Sequence, residues 1–385
     1  MKDEQNSVRG ASGHGSILLR EYMDLAVTTD RMPMSDLQPI LLGLFGEVGS
    51  IMAPAKKLRR EQEAYIGYRE AVEEEFGDAL WYLTALCQRL GLGVDEILAA
   101  ATASGKYHSA VAASDLIAGS IAQVSTLREA PALDAALMDL GRSAANLLSI
   151  ASPADGEGRQ RLVAFADSYL QALQAAELRL ADVVRMNLVK VRGRFLMPTM
   201  SELPTFDHGF PDDERLPEEF EITIRQRKSG RTYLRWNGVF IGDPLTDNIK
   251  DPDGYRFHDA IHFAHAAVLH WSPTFRGLIK HKRKSDPKVD EAQDSGRAIV
   301  VEEGLSAWIF SRAKQLNLFE GQKGISFDLL KVVSQFVSGY EVEACPLKLW
   351  EDAILQGYSV FRQIRANNGG IVIGNRRNRT VKYRA

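Results

Sequence analysis

Three acidic residues on two neighbouring predicted helices have the spacing for metal chemistry. Glu75 and Asp78 lie three apart in Glu73-Glu74-Glu75-Phe76-Gly77-Asp78-Ala79-Leu80-Trp81, so one helical face carries both. Glu47, in Leu44-Phe45-Gly46-Glu47-Val48-Gly49-Ser50, sits on a similar apolar face one helix earlier. Carboxylates turned into a groove between helices cost free energy unless something positive meets them. A hard divalent cation is the usual answer, because Mg²⁺ takes oxygen ligands and keeps several waters. A site of that kind suits a triphosphate. The competing reading of an acidic run is a solvated helix face, and Glu73 fits that reading.

A second group of chemically able residues lies in Tyr255-Arg256-Phe257-His258-Asp259-Ala260-Ile261-His262-Phe263-Ala264-His265. His258, His262 and His265 are spaced by four and three, which puts them on one helical face, and Asp259 shares a face with His262. Downstream, Glu302 and Glu303 open an otherwise apolar helix. Histidine, aspartate and glutamate on facing helices can hold Zn²⁺, Mn²⁺ or Fe²⁺, which makes a second divalent metal in the C-terminal half an expectation. The pair His258-Asp259 resembles the HD phosphohydrolases, although that family's distant His and Asp are not identifiable here. Between the two helices runs a basic stretch, residues 276–288, with Arg276, Lys280, Lys282, Arg283, Lys284 and Lys288. It could meet the phosphates of a nucleotide or of nucleic acid. The bland alternatives are hydrogen-bonded histidines and a solvated basic loop.

These residues need helices to position them. Apolar residues recur with helical period from Ser16 to Phe195, alanine is abundant and β-branched runs are few. The spacing predicts helices near 16–29, 36–59, 67–90, 94–104, 112–128, 132–151, 158–177 and 179–196. Pro39 fits a first helical turn, and Pro54 is expected to kink its helix near the end. Phe76–Leu83 echoes Leu140–Leu147, and Glu47–Ser50 echoes Gln123–Thr126, which suggests a degenerate internal repeat over 112–151 that has lost its acids. The segment 198–218 holds Pro198, Pro204, Pro211 and Pro217 without helical period and reads as a linker. Beyond it, Phe220–Arg225 and Thr232–Trp236 alternate as strands of a hairpin. Helices follow near 255–270, 273–283, 296–316, 326–339 and 346–367, and Gly370–Tyr383 reads as a second hairpin. The domain plan is a flexible tail at 1–15, a helical bundle at 16–197, a linker at 198–218 and an α+β accessory domain at 219–385.

Composition narrows the functional classes. A net charge of −3 over 385 residues implies no global attraction to nucleic acid or membrane. No apolar run reaches the roughly 18 residues of a membrane span. The two cysteines, Cys87 and Cys345, fall in apolar helical patterns and read as reduced core thiols of a cytoplasmic protein.

The phrases Glu47-Val48-Gly49-Ser50, Glu75-Phe76-Gly77-Asp78 with its flanking Leu80-Trp81-Tyr82-Leu83, and Asn187-Leu188-Val189-Lys190-Val191-Arg192-Gly193-Arg194 occur in this order. Together they resemble the MazG-like all-α NTP pyrophosphohydrolases over residues 16–196, with 105–178 inserted or duplicated. The resemblance implies a Mg²⁺-dependent enzyme, with Mn²⁺ as a substitute, that releases pyrophosphate from an NTP or dNTP. By it, Glu47, Glu75 and Asp78 bind metal, and Glu74 or Glu75 takes the proton of the attacking water. Lys56, Lys57, Lys190 and Arg194 contact phosphate, and Asn187 lies near base or sugar. A homo-oligomer is also implied. One departure stands out: where the family has its second acid of the first pair, this chain has Ser50. That leaves open a weakened nucleotide-binding or sensor protein, or a metal-dependent phosphohydrolase whose chemistry lies in the C-terminal cluster.

Overall fold

The computed structural model describes residues 19–103, 106–107, 131–152 and 156–385. The tail at 1–15, the helix expected at 112–128 and the Gln123–Thr126 half of the repeat lie outside the described residues. The molecule is mainly α, with an α+β C-terminal half, and divides into two compact units, Met1–Arg192 and Gly193–Ala385.

The first unit contains α1 (Leu19–Thr29), α2 (Gln38–Glu61), α3 (Tyr68–Arg89), α4 (Val94–Thr102), α5 (Leu133–Leu147), α6 (Gly158–Ala175) and α7 (Leu180–Phe195), whose last residues fall in the second unit. Pro39 sits in the first turn of α2, where a missing N–H is harmless. Pro54 is buried inside α2, which continues past it to Glu61. Each helix buries one apolar stripe. Leu44, Val48 and Ile51 of α2 and Phe76, Leu80 and Leu83 of α3 share one core with Phe165 and Tyr169 of α6 and Val184 of α7. Helix α7 comes unusually close to α3 at Gly77, where a Cβ atom would lie 2.7 Å from the Asn187 Cβ. Any larger residue there would push α7 off the acidic face. On the other side of α3, the guanidinium of Arg89 is buried against Asp30 at 2.5 Å and also donates to Met32 O, which ties the end of α3 to the loop after α1.

The second unit is built on one antiparallel sheet of β1 (Glu219–Gln226), β2 (Thr232–Trp236), β3 (Val239–Leu245), β4 (Gly369–Asn375) and β5 (Thr380–Arg384), in the order β3-β2-β1-β4-β5. The two hairpins expected from the sequence therefore join. Central β1 pairs with β2 through Ile222↔Trp236 and with β4 through Ile222↔Val372. Its alternation buries Phe220, Ile222 and Ile224 on one face. Against that face pack α8 (Asp259–Ala264), which runs on as a π-turn over His265–Leu269, and α9 (Pro273–Ile279). The Phe220 ring lies 4.8 Å from Phe275 of α9 and 6.3 Å from Phe263 of α8, centroid to centroid. The helix expected over 273–283 stops at Ile279 because Lys280 turns left-handed, with φ of 65°. Completing the unit are α10 (Gly296–Gln315), α11 (Phe327–Phe336) and α12 (Leu347–Asn367). Gly357 of α12 lets α8 approach so closely that a Cβ would sit 3.0 Å from Ala264 Cβ.

The segment 198–218, expected as a linker, belongs to this unit. Leu203 and Leu216 are buried in its core, and the Asp207 carboxylate accepts hydrogen bonds from Arg276 and Arg376, each at 2.7 Å. Carbonyl oxygens of Pro204 and Phe206 accept from Arg379 and Arg283. A proline-rich, aperiodic stretch signals the absence of a helix, and it does not signal the absence of tertiary partners.

Candidate functional site

In the first unit, Glu47 on α2 converges with Glu75 and Asp78 on α3. One carboxylate oxygen from each lies within 4.8 Å of the others, and all three residues are half-buried. Such crowding is costly between anions. Burial, reinforced by the charges of Asp78 and Glu75, pushes the Glu47 carboxyl up to about 7. The donor set is all oxygen, which fits a hard cation such as Mg²⁺ and not a soft one. Ser50 stands one turn beyond Glu47, half-buried, and supplies no charge to the group.

Helix α7 closes the other side. The Lys190 ammonium bridges Asp78 at 2.5 Å and Glu74 at 2.8 Å. Burial alone would lower its pKa, but Asp78 and Glu74 outweigh that and raise it, so the side chain stays charged. Asn187 is buried; its amide donates to Asp78 at 2.9 Å and its carbonyl accepts from the Tyr22 hydroxyl at 2.9 Å. A buried side chain with both ends engaged orients Asp78. Glu74, expected as a candidate base, is held as the partner of Lys190.

The other expected phosphate contacts are placed elsewhere. Lys56 and Lys57 follow Glu47 on α2 by nine and ten residues, about 14–15 Å along the helix axis. Lys57 pairs with Glu61 and lies 4.3 Å over the Tyr65 ring. Lys56 lines a cleft of about 590 Å³ with Met52, Arg59, Arg60, Asp134 and Met138. Arg194 belongs to the second unit, where it donates to Glu351 at 3.0 Å and to Ile325 O at 2.8 Å. Its charge is matched there by Glu351.

In the second unit, α8 and α10 bring the histidines and glutamates together. His262 Nε2 lies 3.4 Å from Glu303 Oε1, and His258 Nε2 lies 3.4 Å from Glu303 Oε2. On the inner side, Glu302 Oε1 is 3.1 Å from His262 Nδ1 and 2.9 Å from His265 Nδ1. Its other oxygen accepts from Ser272 Oγ at 3.1 Å and from the Thr274 amide at 2.9 Å. His262, His265 and Glu302 have 0% exposed surface. Burial would raise the Glu302 pKa, but the facing His262 and His265 pull it down to about 2. His262 is raised despite its burial, because Glu302 and Glu303 face it. Asp259 is buried, its carboxyl is raised by that burial, and it has no hydrogen bond or ion pair among the described residues. Ser272 and Thr274 were not singled out from the sequence; the Ser272-Pro273 helix start was the available signal.

The basic stretch is divided by the fold. Arg276 and Arg283 are buried, the first on Asp207 and the second on Asp294 and Glu341 at 2.7 and 2.6 Å. Both arginines are thereby withdrawn from any phosphate-binding surface, leaving Lys280, Lys284 and Lys288 exposed.

Comparison with known families places the chain. Residues 201–385 match the model of the MazG C-terminal domain. The C-terminal half is MazG-like. The match falls on the C-terminal unit, whereas the motif resemblance rests on the N-terminal one, so each half points to the family by separate evidence. MazG-related membership is consistent, at a coarse level, with nucleotide pyrophosphohydrolysis. No curated protein and no solved structure matched the chain. Among the described residues of the chain, no helix is long and apolar enough to cross a membrane.

Proposed function

We propose that the N-terminal unit hydrolyses a nucleoside triphosphate, NTP or dNTP, to the monophosphate and pyrophosphate. The observation that carries this is the convergence of Glu47, Glu75 and Asp78 on one half-buried point, facing the ammonium of Lys190. Those three carboxylates would hold Mg²⁺, with Mn²⁺ as a substitute. The ion would supply charge neutralisation of the phosphates and acidify a bound water. The chain's own residues do the rest. Asn187, fixed by Tyr22, holds Asp78 in one orientation. Lys190 stands where it can leave Glu74 and Asp78 for a phosphate oxygen, an exchange of one anionic partner for another.

The test is pyrophosphate release by the purified full chain with Mg²⁺ and a panel of NTPs and dNTPs. Release that falls by about 10²-fold or more in Glu75→Gln and in Asp78→Asn is the expected result. No release from any nucleotide overturns the reading. Binding without release would instead favour the weakened sensor that Ser50 allows.

A further inference from the structure

We propose that the C-terminal unit carries a second, separate metal centre, in which His258, His262 and Glu303 hold a transition metal of the Zn²⁺ class. The argument begins with spacing. His258, at the N-cap of α8, and His262 within it are four residues apart, and Glu303 reaches both from α10. Both histidines present Nε2, each 3.4 Å from a Glu303 oxygen. Two ligands bound at about 2.1 Å with a tetrahedral angle between them stand about 3.4 Å apart, so little movement is needed to admit the ion.

The opposite ring nitrogens are already committed as a metal site requires. His258 Nδ1 lies 2.9 Å from Tyr255 O, and His262 Nδ1 lies 3.1 Å from Glu302, near enough to engage it although not aligned as a hydrogen bond. A carboxylate or carbonyl behind a ligating imidazole fixes its tautomer and its aim. Glu302 is itself held by Ser272 Oγ and the Thr274 amide. His262 supplies an independent sign. It is fully buried, and its Nε2 has no aligned hydrogen bond among the described residues although it points at Glu303. A buried polar atom in that state costs free energy, and a metal ion would satisfy it.

The neighbouring group His262, His265 and Glu302 is the weaker alternative. All three side chains are wholly buried, and one Glu302 oxygen is consumed by Ser272 and Thr274. By contrast the Glu303 side chain is 38% exposed, which gives the outer group a route for the ion. Three protein ligands leave one tetrahedral position for water, the pattern of catalytic and not structural zinc. A metal ion held with one open position is equipped for metal-assisted hydrolysis.

The test uses the full chain, stripped with chelator and titrated with Zn²⁺ and with Co²⁺ as a visible probe. The expected result is about one tight equivalent per chain and the intense absorption of four-coordinate Co²⁺. Glu303→Gln, at a partly exposed position, should melt like the stripped wild type yet lose the tight equivalent. Glu302→Gln should weaken binding about 10- to 100-fold. Glu47→Gln with Glu75→Gln should leave the binding unchanged, which separates this centre from the N-terminal one whether or not that one is active. No Co²⁺ spectrum in the wild type, or an unchanged spectrum in Glu303→Gln, overturns the proposal.

Discussion

The two clusters solve opposite electrostatic problems. In the N-terminal unit, Glu47, Glu75 and Asp78 face one another half-buried, with Lys190 on the far side of Asp78 only. Negative charge is in excess, and the Glu47 carboxyl is driven up. In the C-terminal unit each glutamate faces histidines, and Glu302 is driven down although it is wholly buried. The first cluster crowds like charges, whereas the second sets opposite ones against each other. Oxygen-only donors in one and nitrogen with oxygen in the other also divide the metals they suit.

This contrast can be broken most sharply at Glu302. Glu302→Ala leaves His265 buried beside no anion and His262 with Glu303 alone, and removing one partner of a buried pair costs about 3–5 kcal/mol. Urea unfolding should show that loss in the C-terminal transition; an unchanged midpoint would mean that the histidines need no counter-charge. At the N-terminal cluster the sign should reverse. In chelator, Glu75→Gln relieves Glu47, and stability should rise, by less than about 1 kcal/mol once solvent screening is allowed for. A loss would show that the acids are held by attraction and not crowding. The same crowding should also show in pH. Glu47 keeps its proton to about 7 in the folded chain, against the usual 4.5, so the folded state binds more protons between these values. Chelated protein should therefore lose stability as pH rises from about 4.5 to 7, and Glu47→Gln should flatten that slope in thermal melts.

Much of the framework was legible in the residues. Helical period alone located α2, α3, α6 and α7, and the Glu75–Asp78 spacing found one face of the acidic cluster. Strand β3 was missed because its burial lacks alternation and it contains Pro244, although Asn237-Gly238 before it is a strong hairpin signal. What spacing could not show was which charges were already matched. Arg194, Arg276 and Arg283 look like phosphate ligands in isolation, and their anions, Glu351, Asp207 and Asp294, lie elsewhere in the chain. Asn187 likewise became an orienting residue only when α7 met α3 at Gly77. Local patterns reveal what a side chain is able to do, while tertiary pairing determines what remains for it to do.

The strap from Leu203 to Leu216 bears on how the second unit can be isolated. Asp207 is the shared anion of Arg276 and Arg376, and the strap's carbonyls serve Arg283 and Arg379. A fragment cut at Glu219, where the first strand begins, would remove the Asp207 anion from Arg376 and leave Arg276 only the more distant Asp294, and stripping a buried pair of one partner costs about 3–5 kcal/mol. The smallest heritable piece of this half is therefore longer than its regular secondary structure. A gene fusion or recombination joint would have to fall upstream of the proline-rich stretch to carry a foldable module.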